Sequence, residues 1–294
     1  MAGRFGAVVT AMVTPFTRDG SLDLDRAGEL AGWLLDHGTD GLVVAGSTGE
    51  SATLTDEEKV ALFRVVVEAA EGRGHVVAGT GTYDTAHTIH LTREAEKAGV
   101  DAVLVVAPYY NKPPQRGLVE HFTAVARSTR LPMIVYNIPG RTGIRIEHDT
   151  LLRLAEVDNI VAVKDSTGDL DGVSTLIAAA PSGFEVYSGD DWATFLYVCL
   201  GGAGVVSVAS HVAGEAIAEM IGLLDKSDVV GARAIHERLL PVFHGLFITS
   251  NPIPLKAAME LIGQPVGHPR LPLVPATAEE VARVRSALEA GGIL

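Results

Sequence analysis

The stretch Ile160-Val161-Ala162-Val163-Lys164-Asp165-Ser166-Thr167-Gly168-Asp169 contains a complete structural punctuation. Four apolar residues in a row, three of them β-branched, read as a strand covered on both faces, the pattern of a parallel sheet. Polar residues and a glycine follow, and then Asp169, a residue suited to cap the helix expected over 169–180, which must stop before Pro181. Working outward, the same unit recurs. Short apolar runs stand at 7–13, 41–45, 75–79, 102–107, 133–137, 160–164, 185–189 and 205–208. Between them lie helix signals. Thr55-Asp56-Glu57-Glu58 is a capping box that opens a helix towards Glu71, the span 84–98 closes at Gly99, and 118–128 stops before Pro132.

Strand then helix, eight times over, is the signature of an α/β chain folded as a (β/α)8 TIM barrel. An open doubly wound sheet is the rival, but it has fewer strands and usually a glycine-rich nucleotide loop. After the eighth run, 215–224, 229–246, 254–262 and 278–290 read as helices, so a C-terminal helical appendage is expected, with the barrel in 1–225 and the appendage in 226–294. The chain of 294 residues is long enough for this arrangement.

Composition excludes several classes. Apolar residues make up 47% and charged residues 20%, which rules out an intrinsically disordered chain. The 23 basic residues face 36 acidic ones, a net charge of −13 with no basic stripe, so neither nucleic acid nor an anionic membrane is an expected partner. The single Cys199 excludes an internal disulfide framework and a cysteine-rich zinc site, and it suits a reducing compartment, the cytoplasm. No signal peptide is read at the N-terminus. The uncharged stretch 192–214 is long enough for a membrane span, but its Gly201-Gly202-Ala203-Gly204 and its Ser207, Ser210 and His211 favour a buried helix, a turn and a buried strand.

Nucleotide and hydrolase motifs are missing. Gly79-Thr80-Gly81 follows a strand but has Asp84 where the third glycine of a dinucleotide loop belongs. His87 and His90 read as a solvated helix face, and no metal is expected. Asp190-Asp191 is read as acids opening a helix, where they complement the dipole.

A barrel gathers its reactive groups at the C-terminal ends of its strands. There the sequence places Ser47-Thr48, Tyr109-Tyr110, Tyr136, Arg141, Lys164 and Gly189. Of the six lysines only Lys164 ends an apolar strand; Lys59 and Lys97 lie in helices among acids, and Lys256 lies in the appendage. Desolvation favours a neutral amine, and a neutral amine can attack a carbonyl to form a Schiff base. The competing reading pairs Lys164 with a buried carboxylate such as Asp165. Tyr136, on the neighbouring strand, can shuttle protons to a forming carbinolamine, or simply be a buried ring. The loop around Ser47 and Thr48 can hold a small carboxylate on its N–H groups, or be an ordinary turn. Arg141 suits a second carboxylate, or a surface salt bridge.

These residues carry a resemblance. Gly46-Ser47-Thr48-Gly49-Glu50-Ser51, Pro108-Tyr109-Tyr110-Asn111-Lys112-Pro113, Tyr136-Asn137-Ile138-Pro139-Gly140-Arg141-Thr142-Gly143, Val163-Lys164-Asp165-Ser166-Thr167-Gly168, Ser188-Gly189-Asp190-Asp191 and Asn251-Pro252-Ile253-Pro254-Leu255-Lys256 occur in that order. Together they resemble the dihydrodipicolinate synthase family over essentially the whole chain. The resemblance implies a class I lyase that condenses pyruvate with L-aspartate 4-semialdehyde without metal or organic cofactor. It implies Lys164 as the imine-forming lysine and Tyr136 as its proton-relay partner. Ser47, where the family usually has threonine, would link Tyr136 to a Tyr110 from a neighbouring subunit. Thr48 would hold the pyruvate carboxylate and Arg141 that of the semialdehyde, with backbone contacts from Gly189 and Val206. A homo-oligomer follows, a tetramer built as a dimer of dimers.

Nearest rivals are other pyruvate lyases, such as N-acetylneuraminate lyase or a keto-deoxy sugar acid aldolase, which share Lys164, Tyr136 and the 46–50 loop; Arg141-Thr142-Gly143 with Tyr109-Tyr110 favours the synthase. A non-catalytic pyruvate-binding barrel is disfavoured by retention of Lys164 with Tyr136. Lysine-inhibited members bind lysine beside Tyr109 with a Ser-Ala pair, matched by Ser51 and Ala52. Their asparagine, glutamate and histidine are replaced here by Tyr83, His87 and Asp56, so inhibition by L-lysine is expected to be weak or absent, with Asp56 the one group able to stand in for the lost carboxylate.

Overall fold

In the computed structural model, which describes residues 3–294, eight parallel strands close into a barrel in chain order. They are β1 (Val8–Ala11), β2 (Gly41–Val44), β3 (His75–Gly79), β4 (Ala102–Val106), β5 (Met133–Asn137), β6 (Ile160–Asp165), β7 (Glu185–Ser188) and β8 (Gly204–Ser207). Closure is made by β1 and β8, with Val8 opposite Val205 and Thr10 opposite Ser207. All eight expected runs are strands, within one or two residues at each end.

The two faces of each strand bury different layers. On β5, Met133 and Val135 pack outward beneath the helices while Ile134 and Tyr136 fill the barrel interior. On β6, Ala162 points inward and Val163 outward. Side chains alternate along a strand, so Lys164 follows Ala162 into the interior and Asp165 turns out.

The surrounding helices are α1 (Leu24–Asp36), α2 (Asp56–Ala70), α3 (Thr85–Ala98), α4 (Gln115–Ala126), the single turn α5 (Pro139–Thr142), α6 (His148–Ala155), α7 (Leu170–Ala179), α8 (Thr194–Cys199) and α9 (Ser210–Asp225). The capping box at Thr55 and Glu58 is formed on both sides, and Gly99 ends α3 at φ +87°, a conformation that glycine adopts without steric cost. Besides the single turn α5, two helices fall outside the sequence reading. In α1 the apolar stripe Ala27, Leu30, Ala31 and Leu34 is buried but interrupted by Gly28 and Gly32, and α6 has only 8 residues.

The chain continues through α10 (Val229–Gly245), α11 (Ile253–Leu261) and α12 (Ala278–Ala290). The irregular strap between the last two is tied back to the barrel. Arg26 donates to the carbonyl of Pro265 and to the side chain of Gln264. Arg270 donates to the carbonyls of Gly20 and Thr53 and forks onto Glu58. The uncharged stretch 192–214 resolves into α8, a glycine turn, β8 and the start of α9, and no helix among the described residues is long and apolar enough to cross a membrane.

Candidate active site

Three lysines are buried to the same degree: Lys59 at 6% exposure, Lys164 at 5% and Lys256 at 5%. Strand-end position therefore does not single out Lys164 by burial, as the sequence suggested; its surroundings do. Lys59 lies 3.7 Å from Asp56, and Lys256 lies 2.9 Å from Glu50. Among the described residues Lys164 has no carboxylate within 4 Å, and its Nζ sits 4.2 Å from the centre of the Tyr136 ring. Tyr136 is its direct register partner across β5 and β6.

The competing pairing with Asp165 does not occur. Asp165 faces outward and accepts from the Tyr197 hydroxyl at 2.8 Å, from the Thr167 hydroxyl and N–H, and from Asn137. On the other side of Lys164, β7 passes so closely that a Cβ on Gly189 would lie 3.0 Å from Lys164 Cε and 2.0 Å from Ser166 Oγ. Any larger residue would have to displace the Ser166 hydroxyl and press on Lys164 and on the Asp165 carbonyl at 3.1 Å. The Gly189 N–H donates to the Asp165 carbonyl at 2.7 Å, which holds the approach in place. Val206 on β8 faces the same interior, fully buried.

Two acids follow Gly189 and open a short helical turn over 191–193, as expected, with Asp190 at its N-cap position and Asp191 in its first turn. Asp191 is buried and accepts from the Ser207 hydroxyl and from the N–H groups of Val208 and Ala209, so it staples the end of β8 to the loop after β7. Asp190 makes no capping bond. Burial pushes its carboxyl up to about 6, with the Lys164 charge pulling the other way.

The loop after β2 presents Ser47 and Thr48. Ala45 and Glu50, at φ +53° and +54°, turn it sharply. The N–H groups of Glu50 and Ser51 close back on Ser47 and Gly46, leaving those of Thr48 and Gly49 without a partner among the described residues. Thr48 is buried and receives a hydrogen bond from Asn251 at 2.9 Å. Glu50, at the end of the loop, holds Lys256 and also accepts from the Arg270 N–H.

Arg141, on α5, has no carboxylate partner among the described residues; its Nη2 donates to the Asn251 carbonyl at 3.2 Å. A surface salt bridge is thus not its role. It lines a cavity of about 300 Å³ together with Ser47, Tyr109, Ile138 and Asn251. A larger cavity, about 620 Å³, lies around Phe16 and His268, and Lys164 lines neither, so chemistry and not size locates the site.

Tyr110 does not join this group within one chain. It is 91% exposed, at φ +70°, and the Ser47 hydroxyl has no hydrogen bond among the described residues. Beside it, Tyr83 packs edge-on against Tyr109 at 5.4 Å while remaining 54% exposed. His87 is not a plain solvated residue: its Nε2 lies 2.8 Å from Asp56, an acid the helix spacing alone does not reveal. No group of three metal-ligating side chains occurs among the described residues.

A family profile described as the dihydrodipicolinate synthetase family matches residues 4–291. The chain belongs to that family. The relative from Moorella thermoacetica, a 4-hydroxy-tetrahydrodipicolinate synthase, is 54% identical over 99% of this chain and 100% of its own. The synthase of Acidothermus cellulolyticus is also 54% identical, over 98% of this chain and 93% of its own. Among solved structures, the dihydrodipicolinate synthase of Cyanidioschyzon merolae with lysine bound superposes with a TM-score of 0.97 at 46% identity, covering 99% of this chain and 100% of the other.

Proposed function

We propose that this member of the dihydrodipicolinate synthetase family is a lyase that condenses pyruvate with L-aspartate 4-semialdehyde to give 4-hydroxy-tetrahydrodipicolinate, on the route to diaminopimelate and lysine. The observation that carries the reading is Lys164: a buried amine with no carboxylate within 4 Å among the described residues, set against a tyrosine ring, in a chain 54% identical along its length to a named synthase.

The chemistry we propose is that of the family, placed on these residues. Lys164 adds to the keto carbon of pyruvate, and loss of water from the carbinolamine leaves an imine. Loss of a methyl proton gives the enamine, whose carbon attacks the aldehyde. The amino group of the second substrate then displaces Lys164 from the imine carbon, closing the ring and freeing the enzyme. Tyr136 exchanges the protons, relayed through Ser47 and the Tyr110 of a second copy. Thr48 with its free loop N–H groups holds the pyruvate carboxylate, and Arg141 holds the carboxylate of the semialdehyde. Gly189 and Val206 offer backbone contacts at the imine. No cofactor enters this scheme.

Exposure of Tyr110 and Tyr83 supports a homo-oligomer, a dimer of dimers, and the single cysteine supports a cytoplasmic setting. We also take 1–225 as the barrel and 226–294 as the appendage, with the boundary in the turn that follows α9.

Borohydride reduction in the presence of pyruvate should add a pyruvyl-derived mass to the Lys164 peptide, and aspartate semialdehyde should be consumed in preference to sugar aldehydes. A label elsewhere, or turnover of a sugar aldehyde alone, overturns the reading.

Weak inhibition by L-lysine belongs to the same proposal. Tyr83 occupies the ground beside Tyr109, and the Asp56 carboxylate is already engaged by His87. In a lysine titration at saturating pyruvate, half-inhibition below about 1 mM, a binding free energy near −4 kcal/mol, would contradict it.

A further inference from the structure

The block Asn251-Pro252-Ile253-Pro254 opens α11, far along the chain from the catalytic strands, and has no part in the scheme above. Its first residue nonetheless reaches the site. Asn251 is 5% exposed and touches both anion-binding elements. Its Nδ2 donates to Thr48 Oγ1 at 2.9 Å, and its main-chain carbonyl accepts from Arg141 Nη2 at 3.2 Å. One turn further along α11, Lys256 grips Glu50 at 2.9 Å. The loop after β2 and the start of α11 are therefore fixed to each other at two points.

The direction of the first bond matters. A threonine hydroxyl has one proton and two lone pairs. With Nδ2–H occupying a lone pair, the Thr48 proton is left to donate, and among the described residues it has no acceptor. A hydroxyl proton not claimed by the protein is what a substrate carboxylate requires. An aspartate at 251 would have the same shape but would accept that proton and turn the hydroxyl away.

We propose that Asn251 is a positioning residue: its side-chain amide fixes the Thr48 hydroxyl as a donor towards the pyruvate carboxylate, while its backbone carbonyl orients Arg141 for the second substrate. The proposal rests on the reading of Thr48 and Arg141 given above. Because the Arg141 contact is to the main chain, side-chain variants at 251 leave it in place, and the two substrates should respond differently.

The test measures half-saturating pyruvate for borohydride-trapped imine, and KM for the semialdehyde, in Asn251→Leu, Asn251→Asp, Thr48→Val and the double variant Thr48→Val/Asn251→Leu. Loss of one buried hydrogen bond corresponds to about tenfold at most. Asn251→Leu should raise half-saturating pyruvate roughly five- to tenfold, and Asn251→Asp further, while the semialdehyde KM stays within about twofold. In the Thr48→Val background, Asn251→Leu should add less than about twofold. Additive effects in the double variant, an equal rise for both substrates, or an unaltered Asn251→Asp would overturn the proposal. A neutral Thr48→Val would instead remove the pyruvate role of Thr48, and this proposal with it. Should Asn251→Leu fail to fold, Asn251→Asp, matched in shape, decides by the same split between substrates.

Discussion

Four cations of this molecule divide into two pairs with opposite habits. In the appendage, Lys256 lies on Glu50 and Arg270 forks onto Glu58, and both also cover the Phe16 ring at 4.4 and 4.3 Å. At the barrel mouth, Lys164 and Arg141 have no carboxylate within 4 Å among the described residues, although Lys164 is as buried as Lys256 and has its own aromatic ring at 4.2 Å. Burial pushes the Lys256 amine below its ordinary range, and Glu50 works against that shift. The appendage cations have completed their electrostatics within the chain. The mouth cations have not, and the chain even diverts the acid next in sequence to Lys164, Asp165, to Tyr197, Thr167 and Asn137. One pair serves assembly, and the other is reserved for bonds to be made with substrate.

The contrast can be broken most directly at the two lysines. Lys164→Ala should lower kcat by roughly 10³-fold or more, because the covalent route is removed rather than weakened, yet Lys164→Met should unfold at or above the parental midpoint, since it breaks no ion pair within 4 Å. If Lys164→Met proves as unstable in urea as the next variant, the two lysines are not different in kind. Lys256→Met should cost about 3–5 kcal/mol of stability by urea denaturation, because Glu50 is left buried and unpaired; adding Glu50→Gln should restore part of it.

Arg141→Ala sharpens the comparison at the mouth. It should reduce kcat/KM for the semialdehyde by a factor equivalent to about 2–5 kcal/mol while leaving pyruvate imine formation nearly intact. Equal losses in both would make Arg141 a structural residue like Arg270.

The smallest effect concerns a buried group that avoids charge altogether. His211 accepts from the Val13 N–H at Nε2 and donates from Nδ1 to the Val208 carbonyl, so only the neutral ring satisfies both partners. Burial holds its pKa down to about 4, below the ordinary 6.5. The folded state thus prefers the neutral ring; this stabilisation is complete above pH 6.5 and is lost as pH falls from 6.5 through 4. Urea unfolding at pH 7 and pH 5 should differ by roughly 1–2 kcal/mol on this account, and His211→Asn should shrink that difference.

Much of this architecture is legible from residue order, because parallel strands buried on both faces must be near-continuous apolar runs. Lys164 is legible for the same reason: it ends one of those runs. What could not be read is partnership across the fold. That Lys256 is neutralised and Lys164 is not depends on Glu50, more than 200 residues from Lys256 in the chain. The tie between Asp56 and His87 joins two helices, and although Asp190 and Asp191 open a helical turn as read, the bonds Asp191 makes to the end of the next strand were not legible. Tyr110 completes nothing within its own chain. Asn251 stood inside a quoted motif, but its hydrogen bond to Thr48 spans 203 positions and no spacing rule reaches that far.

The closure of the barrel also has a consequence for how the protein is made. The Thr10 hydroxyl meets Ser210, 200 residues later, and β1 pairs on one side with β8. At about 5–20 residues per second, a ribosome takes roughly 10–40 s to cover that distance. During that interval the growing sheet gains strands in order but keeps two bare edges, β1 and whichever strand has just emerged. Each exposes a row of unpaired peptide groups able to recruit a strand from another nascent chain. The protein should therefore be most vulnerable to aggregation during synthesis, and slow translation ahead of β8 should lower the soluble yield more than slow translation after it.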